Sequence, residues 1–283
     1  MYKQLFGIYE KALPRDWTLE RKLKTAKEIG FDYFELSTDE SEAFQLRMKT
    51  DKAGCRLIRR AIEEYDMPIR TMCLSGTRNC PIGSKDPALR KKGIELTRDS
   101  IHFSSEIGLR IIQPMAYDNY YGVRDEETYS LFIEALGELT KEAASCGVML
   151  ALENVDIETM DNLEKGLAII REIGSPWLQI FPDIANLYAT GMGNEEAVRQ
   201  YRLAKEHIVA SHVKDTVVGT VRDIPFGKGE VDFDLFFRMI QEENIRGPFT
   251  LEMWAHNYDD PVSAAKEALM FIKQKYERSL QYV

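Results

Sequence analysis

The sequence predicts an α/β chain folded as a single (β/α)8 barrel, and three observations carry that expectation. Short apolar runs, each followed by a longer amphipathic segment, occur eight times in 283 residues. The runs are near-continuous in apolar character, as strands of a parallel sheet covered on both faces should be. Many of them, rather than two or three, end in polar residues, and no GxGxxG turn follows the first, which disfavours a doubly wound open sheet.

The first strand is expected over residues 5–8, followed after a proline-containing loop by a helix over 17–29. A second strand over 33–37 leads to a helix over 51–65, and a third over 69–75 to a helix over 87–107 with Leu89, Ile94, Ile101 and Phe103 on its apolar face. Strand four (111–116) precedes a helix over 126–145, and strand five (148–155) one over 160–173. Strand six (178–184) precedes a helix over 194–205. The seventh unit pairs 208–216 with 233–243, and the eighth pairs 248–254 with 261–277. No linker, low-complexity segment or strong repeat interrupts the series, so residues 1–283 read as one domain with enough chain for a large core.

Charge narrows the partners. Thirty-seven basic against 46 acidic residues give a net charge of −9, which argues against nucleic-acid or membrane-surface binding. An anionic substrate would need a local cluster of positive charge. Cys55, Cys73, Cys80 and Cys146 form no CxxC pair and read as reduced thiols. The first residues lack a signal-peptide core, and no apolar run approaches the ~20 residues of a membrane span. A soluble, cytoplasmic protein is expected.

The chemistry is expected at the C-terminal ends of the strands, which share one mouth in such a barrel. The stretch Ile208-Val209-Ala210-Ser211-His212-Val213-Lys214-Asp215-Thr216 starts as a buried strand and ends polar. Three other strands end with carboxylates: Glu153, Asp183 and Glu252. Each alone reads as an ion-paired strand residue or a satisfied core histidine; four on successive strands point to a common centre. Three clustered carboxylates repel unless a cation joins them. Three oxygen donors and one imidazole suit one divalent ion, Zn2+, Mn2+, Mg2+ or Co2+.

Several motifs make the pattern more specific: Gly7-Ile8-Tyr9-Glu10-Lys11-Ala12-Leu13-Pro14, Met72-Cys73-Leu74-Ser75, Pro182-Asp183-Ile184, His212-Val213-Lys214-Asp215-Thr216, Pro225-Phe226-Gly227-Lys228-Gly229 and Leu251-Glu252-Met253-Trp254. From first strand to last, the chain resembles the L-ribulose-5-phosphate 3-epimerases (L-xylulose-5-phosphate 3-epimerases) of bacterial L-ascorbate utilisation, in the xylose-isomerase-like barrel group that includes the D-tagatose 3-epimerases. The resemblance implies that Glu153, Asp183, His212 and Glu252 ligate the metal. It also implies that Glu153 and Glu252 move the C3 proton of a phosphorylated ketopentose. Tagatose-type epimerases carry a histidine three residues beyond the aspartate ligand; here Asn186 stands there, able to donate a hydrogen bond but not to shuttle a proton. Barrels of this group are often dimers, so a homodimer is an expectation too.

A phosphate needs donors or positive charge. Lys214 is the first candidate, since a core strand has little other reason to set a lysine beside the histidine. Ser75, Thr77 and Arg78 after strand three follow, then Arg222 and Lys228 around the Gly227-Lys228-Gly229 loop, and Lys11 in the first loop. His102 and His207 read as structural, and His256 as exposed. Trp254, Tyr117, Tyr120 and Tyr121 are equally compatible with pocket wall and core.

The main rival keeps fold and metal but changes the reaction: a sugar isomerase, hydroxypyruvate isomerase or inosose dehydratase. An apurinic-site nuclease is disfavoured by only four histidines and the negative charge. A non-catalytic sugar sensor is the third reading.

Overall fold

The structure, a computed structural model, describes residues 3–282. The first four strands are β1 (Phe6–Tyr9), β2 (Tyr33–Thr38), β3 (Ile69–Leu74) and β4 (Ile111–Pro114). Between and after them run α1 (Leu19–Ile29), α2 (Glu42–Leu46), α3 (Lys52–Glu64), α4 (Pro87–Ile107) and α5 (Glu126–Ser145). Next come β5 (Met149–Leu152), α6 (Leu163–Ile173), β6 (Leu178–Ile180), α7 (Ile184–Leu187) and α8 (Gly193–Ala204). The chain ends with β7 (Ser211–Val213), β8 (Asp215–Val217), β9 (Thr220–Ile224), α9 (Phe233–Glu242), β10 (Phe249–Leu251) and α10 (Pro261–Ser279).

The helix ends follow from their caps. Thr18, Asp51, Asp86, Asp125, Asn162, Asp232 and Asp260 each accept a backbone N–H of the first turn of the helix they precede. Thr128 returns the bond at Asp125 to complete a capping box. Gly30 (φ 103°), Gly108 (φ 85°) and Gly174 (φ 66°) take the left-handed conformation that stops α1, α4 and α6.

Eight parallel strands form one sheet in the order β6-β5-β4-β3-β2-β1-β10-β7. The sheet curls back on itself: β6 and β7 meet through the isolated parallel bridges Ile180–Ile208 and Asp183–His212. The amides of Val209 and His212 donate across this last gap to Ile180 and Pro182 at 3.1 and 2.9 Å. Every residue of β1 and β2 is buried, including Glu35, Ser37 and Thr38 in β2. Ile8, Phe34, Leu36, Met72, Ile112, Leu150, Leu178 and Leu251 anchor an apolar core that extends out to the helices. A Cβ on Gly7 would come within 2.2 Å of the Tyr33 ring, so the first strand needs glycine there.

Two expected elements are corrected. The seventh strand leaves the barrel after Val213, and residues 215–217 pair antiparallel with β9 across the two-residue Val218-Gly219 turn. Gly219 at φ 77° permits that turn, and the β-branched residues on either side fill the hairpin. The sixth strand is shorter than expected because Asp183 caps α7. Helical backbone thus begins ten residues early, is broken by a kink at Gly191 (φ 90°), and resumes as α8.

Candidate metal centre and active site

Register aligns the site. Thr250 lies beside His212, Asp183 bridges to His212, and Met115 bridges to Glu153, so the ends of β5, β6, β7 and β10 share one level. Glu153, Asp183, His212 and Glu252 each direct one donor atom to a common point, all four within 4.8 Å of one another and all buried. Ligands on opposite sides of an ion at ~2.1 Å stand about 4.2 Å apart, so the spacing fits a divalent cation.

Each side chain is held from behind. Asp183 spends Oδ1 on the amides of Ala185 (2.7 Å) and Asn186 (3.3 Å), which leaves Oδ2 to face the centre. Asn154 exchanges two bonds with the Asp183 backbone, at 2.8 and 3.0 Å. Asn186 is buried and donates to the Asn154 carbonyl at 2.9 Å and to Glu153 at 3.5 Å, the donor role open to an asparagine there. His212 turns Nδ1 toward Glu153 (3.0 Å) and Glu252 (3.9 Å), and Phe181 packs edge-on against its ring at 4.9 Å.

Among the protein's own groups, Lys214 and His212 supply the positive charge that three carboxylates require. Lys214 is buried and donates to Asp183 Oδ2 and Glu252 Oε2, both at 2.6 Å. Burial opposes its charge, but Asp183 and Glu252 more than offset that and raise its pKa. Burial likewise opposes charge on His212, yet Glu35, Glu252 and Glu153 push its pKa well up. Glu153 is lifted to about 7, chiefly by burial, against the pull of His212. Glu252 goes the other way: burial raises it, while Lys214 and His212 lower it further.

Above the centre opens a small cleft. Of the residues expected to bind substrate, Ser75, Arg78, Asn186, Lys214 and Arg222 line it, as does Lys11. Lys228 is exposed and is not among the lining residues. It belongs to the turn that Asp215 gathers by accepting the amides of Gly227 and Gly229 at 2.8 and 2.9 Å. Arg78 stacks its guanidinium 4.8 Å from the centre of the Tyr120 ring. Tyr120 and Trp254 wall the cleft, Tyr117 is buried and Tyr121 exposed. Cys73 is also in the wall; burial and the Glu153 charge push its thiol up to about 12, so it is no nucleophile. His256 has a 70% exposed side chain; His102 binds Glu142 and His207 binds Gln179.

Glu35 and Gln113, both fully buried, were not among the expected site residues. Glu35 meets Nε2 of His212 at 2.6 Å, and the Gln113 amide lies 3.3 Å from Nδ1. The signal was there in Tyr33-Phe34-Glu35-Leu36, a lone carboxylate inside an apolar strand, but its partner is 177 residues away.

Comparison with known proteins agrees with this geometry. The family model of the xylose isomerase-like TIM barrel matches residues 23–275. An L-ribulose-5-phosphate 3-epimerase UlaE of Salmonella paratyphi A is 35% identical over 273 residues, spanning 96% of this chain and 95% of the relative. The UlaE of Escherichia coli strain SMS-3-5 matches with the same identity and coverage. Among solved structures, an L-ribulose 3-epimerase superposes with TM-score 0.82 at 19% identity, covering 99% of this chain and 96% of the other. The D-allulose 3-epimerase of Methylomonas sp. in complex with D-allulose gives 0.79 at 23%, covering 96% and 97%. At those identities the likeness establishes the shared fold. With a family model spanning most of its length and relatives matched nearly end to end, the chain belongs to the xylose isomerase-like TIM-barrel family, beside the UlaE-type 3-epimerases.

Proposed function

We propose that this protein is a metal-dependent isomerase that interconverts L-ribulose 5-phosphate and L-xylulose 5-phosphate by inverting C3, with residues 1–283 acting as one domain. The observation that carries it is the convergence of Glu153, Asp183, His212 and Glu252 within 4.8 Å at the barrel mouth. Zn2+, Mn2+, Mg2+ or Co2+ would suit these donors. When bound, such an ion stabilises the negative charge that develops on the ketose oxygens as C3 loses its proton.

The chain's own residues do the rest. Glu153 and Glu252 follow β5 and β10, strands that are not neighbours in the barrel; one carboxylate removes the C3 proton from one face and the other returns a proton to the opposite face. Lys214, bound to Glu252, supplies a donor toward the substrate oxygens or holds Glu252 in place. Asn186 steadies Glu153. Ser75, Arg78 and Arg222, and less directly Lys228, are the candidates for the phosphate end; the first three share the cleft with the centre. UlaE relatives, named for a phosphorylated ketopentose, support this substrate class over a free sugar.

The test is an NMR assay in D2O with each L-pentulose 5-phosphate, run on protein whose metal content has been measured. Interconversion with deuterium arriving at C3 is expected, and Glu153→Gln or Glu252→Gln should lower kcat at least 1000-fold with unchanged circular dichroism. Exchange at C1 with an aldose product, or loss of water, would transfer the protein to the isomerase or dehydratase reading.

A further inference from the structure

We infer that Glu35 is a positioning residue for the metal centre: it accepts a hydrogen bond from Nε2–H of His212, which holds the proton on Nε2 and leaves Nδ1 for coordination. This rests on the metal reading above. Glu35 contributes no atom to the four-ligand cluster and lies on β2, across the barrel from β7.

The geometry has two parts. On the His212 side, Nε2 meets Glu35 Oε1 at 2.6 Å, while Nδ1 is the nitrogen turned to the cluster, 3.0 Å from Glu153 and 3.9 Å from Glu252, with the Gln113 amide at 3.3 Å. On the far side, Glu35 Oε2 accepts from the Thr71 hydroxyl at 2.5 Å and from Thr250 at 3.2 Å, and Thr250 in turn contacts the Tyr33 hydroxyl at 2.7 Å. All five side chains are fully buried, and they come from β2, β3, β7 and β10.

A fully buried carboxylate with no role beyond filling the interior would be replaced at little cost by an apolar residue of similar shape. Here it does something an apolar residue cannot. A neutral imidazole has one protonated nitrogen, and the acceptor facing that nitrogen decides which one it is. An acceptor fixed on three further strands also fixes the ring plane. Removal of such a partner behind a histidine ligand typically weakens metal binding about 10–100-fold.

The experiment measures divalent-metal affinity by competition with a chromophoric chelator, for wild type, Glu35→Met, Glu35→Gln and Thr71→Val. It is paired with 15N–1H spectra of the imidazoles in the Zn2+ forms, assigned with His212→Gln. Expected are an affinity loss of about 10–100-fold in Glu35→Met and a smaller one in Glu35→Gln, which keeps an acceptor. The Nε2–H signature of His212 should be present in wild type and lost or mixed in Glu35→Met. If Glu35→Met does not fold, Glu35→Gln and Thr71→Val decide, since neither leaves a bare cavity in the layer. Variants that bind metal within twofold of wild type, or a folded Glu35→Met with an unchanged His212 signature, overturn the inference. A wild type that binds no divalent ion instead overturns the metal reading itself.

Discussion

Lys214 shows how a residue can be legible in place and not in partner. Its neighbour His212 and the alternation of a strand put both side chains on one inward face, which marks it as part of a site. What it touches depends on where β6 and β10 end, and there it finds Asp183 and Glu252 at 2.6 Å each. The ammonium therefore sits against two of the clustered carboxylates and balances their charge. Removing it leaves two buried carboxylates short of a counter-charge, a loss that typically costs about 3–5 kcal/mol. Lys214→Met should lower the melting temperature of chelator-treated protein by roughly 10 °C, at about 2–4 °C per kcal/mol for a chain of this size. Added Mn2+ should close most of that gap, because the ion supplies the charge the lysine no longer provides. A variant whose deficit is the same with and without metal would place Lys214 outside the charge balance of the centre.

At the scale of the element, Glu10 is the joint between β1, β2 and the turn after α2. It accepts from Lys22 (3.3 Å), from both terminal nitrogens of Arg47 (2.8 and 2.7 Å) and from the Ser37 amide (2.8 Å), and it is almost wholly buried. Burial pushes its pKa up, but Arg47 and Lys22 prevail and hold it below the ordinary carboxylate range. A depressed folded-state pKa contributes stability that is complete above the unfolded value, near pH 4.3, and is lost as pH falls through the folded value. Glu10→Gln should thus cost about 3–5 kcal/mol at pH 7 by urea unfolding, with the deficit shrinking below about pH 4. A deficit constant from pH 7 to 3 would remove the ionic part of this account. Asp215 is a second joint, at the base of the β8–β9 hairpin. It receives the amides of Thr216, Gly227 and Gly229, and a Cβ on Gly229 would come within 2.1 Å of its carboxylate. Asp215→Ala should make the chain near residues 225–231 the first site of limited proteolysis while the barrel resists. Cleavage unchanged from wild type would show that the loop is held by something else.

At the scale of the whole molecule, the barrel was legible because its rules are local. Apolar runs and amphipathic segments marked α4 and α5 to the residue and most strand starts within one or two. The convergence of Glu153, Asp183, His212 and Glu252 was legible because each ends a strand, and a barrel sends strand ends to one mouth. Glu35 was not, since its meaning lies in a contact between β2 and β7 that only closure creates. The hairpin and the early α7 were missed because His212-to-Thr216 and Pro182-to-Ile184 continue a strand's composition past the point where the ladder ends. Closure itself leaves the last prediction. Seven of the eight junctions are ladders, whereas β6 and β7 are joined by isolated bridges. Asp183 and His212 sit on either side of that seam and are two of the four residues proposed to hold the ion. An ion bound as proposed would span the weakest junction of the barrel, and its binding energy would act where local opening is easiest. In hydrogen exchange, the amides of Val209 and His212, which cross the seam, should be less protected than those of β2 and β3 in chelator-treated protein. Mn2+ should slow them at least tenfold, with a much smaller change in β2 and β3. Equal slowing in all strands would mean that the ion stabilises the fold globally and the seam has no independent opening. No slowing at Val209 and His212 would mean that the ion does not bridge β6 and β7.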